Sequence, residues 1–154
     1  MSELFDAKMP ESGTLRATVP DGFVPLAAPN PGFVRQCGNF HFNAERCAVA
    51  TRVASHHLNS LAIAHGGLLA TLADTAFGVV IPHKLGLVVA PVTISLSLDY
   101  ISPVRPGDWV EAHVDLHKTG RRISYASCLV KVGERPVLRA SGTFMMEEPD
   151  RPAR

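Results

Sequence analysis

Only one stretch of this chain can make a long helix, and that stretch is apolar on nearly every side. From Gly66 to Ile81, the residues Leu68, Leu69, Leu72, Ala73, Ala76, Phe77, Val79 and Val80 leave almost no polar face, and Pro82 is expected to stop the run. A helix of this kind must be wrapped by the rest of the chain. The residues after it have the period-two pattern of strands. Val92, Ile94, Leu96, Leu98 and Tyr100 alternate with Thr93, Ser95, Ser97 and Asp99, so the first set is expected on one face and the second on the other. Trp109–His117 repeats the pattern, and Ile123–Val132 and Val137–Met146 come next, separated by turns at Thr119-Gly120-Arg121 and Gly133-Glu134-Arg135-Pro136. Ahead of the helix, Phe40 to Ala54 reads as two short strands around a turn near Asn43 to Glu45. The expected class is α+β: an antiparallel sheet, with four consecutive strands after the helix, and the helix on one face.

The chain's 154 residues fit one domain, and a composition of 46% hydrophobic and 19% charged residues is that of a soluble globular protein. A formal net charge of +1 excludes a nucleic-acid binder that works by bulk charge, and no aromatic residues are interleaved with the basic ones for stacking. Residues 1–33 hold five prolines and Gly13, Gly22 and Gly32, which exclude long helices and central strands. They read as an arm whose Phe23, Val24, Leu26 and Phe33 could pack on the domain while the first dozen residues stay disordered. A domain over 34–147 and a tail over 148–154 complete the expected organisation. Cys37, Cys47 and Cys128 are odd in number and lack C-x-x-C spacing, which argues against disulfides and zinc and fits a reducing cytoplasm. The acidic, polar N-terminus does not read as a signal peptide, and Gly66 to Pro82 falls short of the roughly 20 apolar residues of a membrane span.

Three features carry chemistry. Asp74 is a carboxylate in a helix built for burial, where an unpaired charge costs several kcal/mol, so it is there for a reason: function or a local structural bond. His65-Gly66-Gly67 opens the same helix; two glycines let a backbone approach a ligand, and the first helical N–H groups suit a developing oxyanion, although such a pair alone is commonly just a turn. Asn59, six residues before His65, reads either as an amide at the same helix end or as a turn residue. The densest basic group, Lys118, Arg121 and Arg122, surrounds the turn at Gly120; it reads as a solvated hairpin or as a cradle for phosphates. His113 and His117, four apart on a strand, stand about 13 Å from each other, too far to share a metal, and no metal site is expected.

Taken together, His57-Leu58-Asn59, His65-Gly66-Gly67 and Leu72-Ala73-Asp74, with Thr93 and Tyr100-Ile101-Ser102-Pro103 after them, resemble the PaaI-type acyl-CoA thioesterases of the hot dog superfamily over residues 33–147. The resemblance implies a sheet wrapped around a central helix and subunits paired edge to edge. It implies Asp74 as general base or nucleophile, the Gly66 N–H as oxyanion donor, Asn59 and His65 as positioning groups and Thr93 as a partner of Asp74. Acyl-CoA is then the substrate, aromatic or of short to medium chain, and coenzyme A enters only as part of it, with no cofactor. Gly67, Phe77, Lys118, Arg121 and Arg122 are expected at the substrate. Relatives commonly carry Gly where this chain has Ala62, so its loop is expected to take a different path. Gly66 and Asp74 lie about 12 Å apart along one helix, so one thioester cannot touch both; a homodimer is required, and a homotetramer is expected. On the same scaffold, a non-catalytic acyl-CoA-binding module and a hydratase or dehydratase are the alternatives.

Overall fold

The structure, a computed structural model, describes residues 18–27 and 32–146. The expectations for the first dozen residues and for the tail fall outside these. In chain order the elements are β1 (Val24–Pro25), α1 (Gly32–Gln36), β2 (Phe40–Asn43), β3 (Ala48–Arg52), a short 3-10 turn (Ser55–His57), α2 (Gly66–Leu85), β4 (Val92–Tyr100), β5 (Trp109–Thr119), β6 (Ile123–Val132) and β7 (Arg135–Met145). The seven strands form one antiparallel sheet in the order β1-β2-β3-β5-β6-β7-β4. The strands after the helix are therefore not a simple meander. β4 crosses over to pair with β7 and becomes an edge strand, while β5 pairs with β3 and β6.

The helix α2 lies against one face of this sheet. Its Leu68, Leu69, Leu72, Ala73, Ala76, Phe77, Val80 and Ile81 are buried against Val49, Val110, Ala112, Val114, Ala126, Cys128, Val130, Leu138, Ala140 and Phe144. Each large side chain removed from water here contributes roughly 1.5–3 kcal/mol, which is why the sequence makes the helix so apolar. Pro82 does not stop the helix: it is buried in the last turn, and α2 runs on to Leu85. There the Gly86 N–H donates to the His83 carbonyl and the Leu87 N–H to the Pro82 carbonyl, the paired bonds of a Schellman end, with Gly86 at φ +65°. At 20 residues, α2 reaches the length and apolar composition of a membrane span, contrary to the shorter run expected, but its apolar side is the one under the sheet.

A sheet covers only one side of a helix, and the other flank of α2 is open in the single chain. Gly67 and Asp74 are exposed there, with Ala70, Thr71 and Gly78 partly so. Asp74 is thus not the buried carboxylate that the apolar run suggests.

Residues 18–27 join the sheet through β1, ahead of the boundary expected at 33. Phe23 is buried over Ala48 and Ala50, edge-on to Trp109 with ring centroids 5.4 Å apart. That contact buries the outer face of β3, so the strand is apolar on both sides. Leu26 packs partly on the core, whereas Val24 and Phe33 point outward, Phe33 at 71% exposure.

Candidate active site

The start of α2 uses its free donors unevenly. His65 is the N-cap, with extended backbone at φ −61° and ψ 135°, and its Nδ1 accepts the Gly67 N–H at 2.8 Å. The His65 carbonyl accepts the Leu68 N–H at 2.9 Å, and the His65 N–H donates to the His57 carbonyl at 2.8 Å. The Gly66 N–H has no acceptor among the described residues. One donor is therefore left at the positive end of a 20-residue helix.

The two glycines lie under neighbouring side chains, Gly67 with no room for a Cβ and Gly66 with room for one only if Tyr100 gives by a few tenths of an ångström. A Cβ at Gly67 would stand 2.9 Å from His65 Nδ1, so only glycine lets the ring close over that N–H. A Cβ at Gly66 would stand 3.1–3.3 Å from the ring and hydroxyl of Tyr100, which donates to the Gly66 carbonyl at 2.9 Å. Gly67, expected at the substrate, has its N–H committed to His65. The Tyr100 hydroxyl contact is not legible in the sequence, where Tyr100 reads as one more apolar residue of a strand.

Asn59 organises the loop that leads into this helix end. Its Oδ1 accepts the N–H groups of Leu61 at 2.9 Å and Ile63 at 3.4 Å; its backbone N–H donates to the Ile63 carbonyl, and its carbonyl accepts from Ala62. With the oxygen so committed, the amide NH₂ is the end left for a cleft of about 320 Å³ lined by Asn59, Ile63, Gly66, Leu69 and Tyr100. The departure at Ala62 shows up as backbone strain: alanine stands at φ +56°, in the left-handed region.

At the other part of the site, Thr93 Oγ1 donates to Asp74 Oδ1 at 2.9 Å, leaving Oδ2 without a partner among the described residues. The alternation read along β4 would turn Thr93 away from Tyr100, and a bulge corrects it. Thr93 pairs with Phe144, but the register shifts before Ser95, and Leu96, Leu98 and Tyr100 pair with Gly142, Ala140 and Leu138. Those four β7 partners are buried on the helix side, so Thr93, Leu96, Leu98 and Tyr100 share that side. The inserted Ile94 is 54% exposed.

Lys118, Arg121 and Arg122 are exposed at the β5–β6 hairpin. Ile123, Met145 and Val92 stand in one row across three strands, and Met146 donates its N–H to the Arg122 carbonyl at 2.8 Å. With strands about 4.8 Å apart, the basic turn lies roughly 10–15 Å from Val92, on the Thr93 and Asp74 side of the site.

Phe77 does not reach the site. It is fully buried, 4.8 Å from the Phe144 ring centroid, and belongs to the core. A second cleft of about 450 Å³ beside the helix end is lined by Phe33, Cys37, His56, His57, His65 and Thr71, of which His56 had no signal of its own in the sequence. His57 is buried, accepts the Ala54 N–H at Nδ1, and has its pKa lowered by burial and then by His56, against a smaller opposing effect of the Cys37 backbone. It is held neutral and serves the loop. Burial and then the charge of Asp115 push the Cys128 thiol up to about 12, which makes it an inert core group. His113 bonds Glu111 at 2.9 Å and His117 bonds Ser127 at 2.6 Å, so the two histidines serve different partners. Among the described residues no cluster of three His, Cys, Asp or Glu could hold a metal.

Known proteins are similar to this chain in sequence and in fold. Residues 61–138 match the family model described as Thioesterase superfamily. A Pseudomonas aeruginosa protein named "Putative esterase PA0474" is 38% identical over 129 residues, covering 82% of this chain and 96% of its own length. A mutant of the phenylacetic acid degradation protein PaaI from Thermus thermophilus matches with a TM-score of 0.60 at 30% identity, over 65% of this chain and 84% of the other. A hypothetical thioesterase from Streptococcus pneumoniae, solved with coenzyme A, matches with a TM-score of 0.59 at 28% identity, over 66% of this chain and 81% of its own.

Proposed function

Because the chain belongs to the thioesterase superfamily, has the hot dog fold and is a thioester hydrolase, we propose that it hydrolyses an aromatic or short- to medium-chain acyl-CoA at a site shared by two copies of itself. The observation that carries this reading is the unspent Gly66 N–H at one end of α2, with the Thr93-held Asp74 about 12 Å further along the same helix. The two cannot meet on one thioester within a chain. They can if α2 of a second copy lies alongside, bringing its Asp74 to this helix end.

The open flank of α2 and the bare edge of β4 support such pairing. Val92, Ile94 and Tyr100 on that strand are 58%, 54% and 55% exposed, and Val88 just before it is fully exposed. A long apolar edge strand offers unpaired backbone groups to another strand, and a two-fold pair satisfies both edges at once. A homotetramer built from two such pairs is part of this reading. A cytoplasmic setting fits the three cysteines, all free.

The chemistry needs nothing beyond these residues and water. Asp74 Oδ2 takes a proton from water as its oxygen bonds to the thioester carbon, and the carbonyl oxygen becomes negative against the Gly66 N–H. The C–S bond then breaks, the acid is released, and the proton held on Asp74 passes to the CoA thiolate, which restores the carboxylate. In the nucleophilic version Oδ2 itself attacks the thioester carbon and the C–S bond breaks to release the CoA thiolate; water then cleaves the resulting anhydride, which frees the acid and the Asp74 carboxylate and leaves a proton for the thiolate. The Thr93 hydroxyl on Oδ1 leaves Oδ2 aimed and available in either case. The amide of Asn59 lies where it can hold substrate or water, and Lys118, Arg121 and Arg122, on the Asp74 side, suit the phosphates of the CoA nucleotide by charge-assisted hydrogen bonds.

The direct test is Gly66→Pro. Proline is favoured at the first helical position and requires an extended residue before it, which His65 already is, so the change removes the N–H and spares the helix. Tyr100, half exposed, can move the few tenths of an ångström that a new Cβ demands. Turnover of phenylacetyl-CoA or hexanoyl-CoA should fall about 100-fold or more while the fold, read by circular dichroism, is kept. A folded Gly66→Pro protein with parental turnover would remove the oxyanion role.

A further inference from the structure

Two clefts flank the helix end that carries the Gly66 N–H. The smaller, of about 320 Å³, is lined by Gly66 and Leu69 of α2, by Asn59, and by Tyr100 and Ile101 at the end of β4. The larger, of about 450 Å³, is lined by Gly67, Leu68 and Thr71 of α2, with Phe33 of α1 and His56 of the 3-10 turn. At 3.6 residues per turn, each residue advances about 100° around the helix, so Gly66 and Leu69 share one side of α2 and Gly67, Leu68 and Thr71 share the opposite one. The two clefts therefore meet the helix end from opposite sides. Phe33 has no part in the core: it is 71% exposed, on a five-residue helix that buries none of its side chains. His56 is exposed too, and no carboxylate, lysine or arginine lines the larger cleft among the described residues.

A thioester carbon is planar. With its oxygen on the Gly66 N–H and a carboxylate attacking one face of the plane, its sulfur and its acyl group must leave on opposite sides of the C=O axis, and each needs its own space. Charge decides which goes where. In the shared site Asp74 comes from the second copy, and the basic hairpin on the Asp74 side comes with it, so the CoA phosphates lie beyond the β4 edge where that copy pairs. The sulfur and the CoA arm then leave through the smaller cleft, which is the one on the β4 side. Given the shared site proposed above, on which this inference rests, we propose that the larger cleft is the acyl subsite, that it takes an apolar acyl group, and that Phe33 and His56 are specificity-determining residues. The acyl group leaves the carbonyl past Gly67, where no Cβ obstructs it, and meets Leu58, Leu68 and the rings of Phe33 and His56. Aromatic walls accept an aliphatic chain by burial and a second ring by offset or edge contacts as well. Gly67 and Thr71 also belong to the open flank of α2, so the helix of the second copy closes the remaining side.

The test is the double variant Phe33→Ala with His56→Ala, set beside Ile101→Ala from the smaller cleft. For each, kcat/KM is measured on acetyl-CoA, hexanoyl-CoA and phenylacetyl-CoA, with the thermal midpoint in parallel. All three side chains are exposed, so the fold should stand. Acetyl ends at its methyl group and does not reach Phe33, whereas the two longer acyl groups do. The double variant should therefore lower the ratios of phenylacetyl-CoA and hexanoyl-CoA to acetyl-CoA by about ten-fold or more, the scale at which pocket contacts discriminate between acyl groups. Ile101 lies along the CoA arm that all three substrates share, so Ile101→Ala should keep both ratios within about two-fold of the parent, whatever it does to each rate. Ratios unchanged in the double variant overturn the proposal, as do ratios that fall as far in Ile101→Ala, which would put the acyl group in the smaller cleft. If the parent hydrolyses none of the three substrates, the acyl-CoA reading itself has failed and the subsite falls with it. That result differs from an active parent whose ratios the double variant leaves alone.

Discussion

A tight loop followed by a helix end makes this site, and single residues there carry opposite demands. Gly67 is small because the His65 ring lies where its side chain would be, and Gly66 lets the Tyr100 ring close in to a distance that a Cβ would push back by a few tenths of an ångström. Ala62 shows the reverse: a left-handed backbone held by a residue with a Cβ. Such a conformation costs an L-residue about 1–2 kcal/mol, while glycine loses about 0.5–1 kcal/mol of chain entropy on being fixed there. Ala62→Gly should therefore stabilise by up to about 1 kcal/mol, which for a chain of this length raises the thermal midpoint by about 2–4 °C. The bonds made by Asn59 in the loop are kept, so KM should not move. A lower midpoint in calorimetry would mean that the Ala62 methyl makes a contact worth more than the strain it imposes.

Among the elements, β4 was legible to the residue, because nine positions of strict alternation between a loop and a Ser-Pro turn have no competing interpretation. Its neighbours were not, since alternation says which faces exist but not which strand lies alongside. The Ile94 bulge was equally hidden, because an inserted residue leaves the pattern of apolar and polar letters intact while turning Thr93 to the side of Tyr100. For the proposed site, the residues from Asn59 to Asp74 acquire roles only through the family resemblance; each alone reads equally as a turn or a structural residue. The exposure of Asp74 could not be read, because an all-round apolar helix looks the same whether a sheet or a second subunit covers its flank. Phe77 was misplaced for the same reason: a helix with no polar face does not show which apolar residue meets substrate. The correction can be checked with Phe77→Leu. Loss of ring contacts in a fully buried position should cost about 1–2 kcal/mol, less than the 3–5 kcal/mol of truncation to alanine, and should leave KM for acyl-CoA unchanged. A several-fold rise in KM with an unaltered thermal midpoint would return Phe77 to the substrate.

At the level of the whole molecule, the proposed site exists only between copies, and this can be tested without a structure of the assembly. Asp74→Asn removes the base and leaves the helix end intact; Gly66→Pro removes the donor and leaves the carboxylate intact. These two are better partners than any change at Asn59, whose side-chain oxygen holds the loop together and whose loss would blur a catalytic defect with a structural one. Each homodimer should be nearly inactive, because both of its sites lack the same group. When the two proteins are mixed and allowed to exchange subunits, one site of each mixed dimer takes its donor from the Asp74→Asn chain and its carboxylate from the Gly66→Pro chain, and is complete. The other site lacks both. With equal amounts and random exchange, about half the dimers are mixed and each has one working site of two, so roughly a quarter of parental activity should return. A site contained within one chain predicts no recovery at all, whatever the oligomeric state, because no single chain in the mixture holds both groups. Demonstrated exchange, for example by mass spectrometry of an isotope-labelled partner, with activity still at the level of the separate variants would rule out the shared site and require Gly66 and Asp74 to act separately.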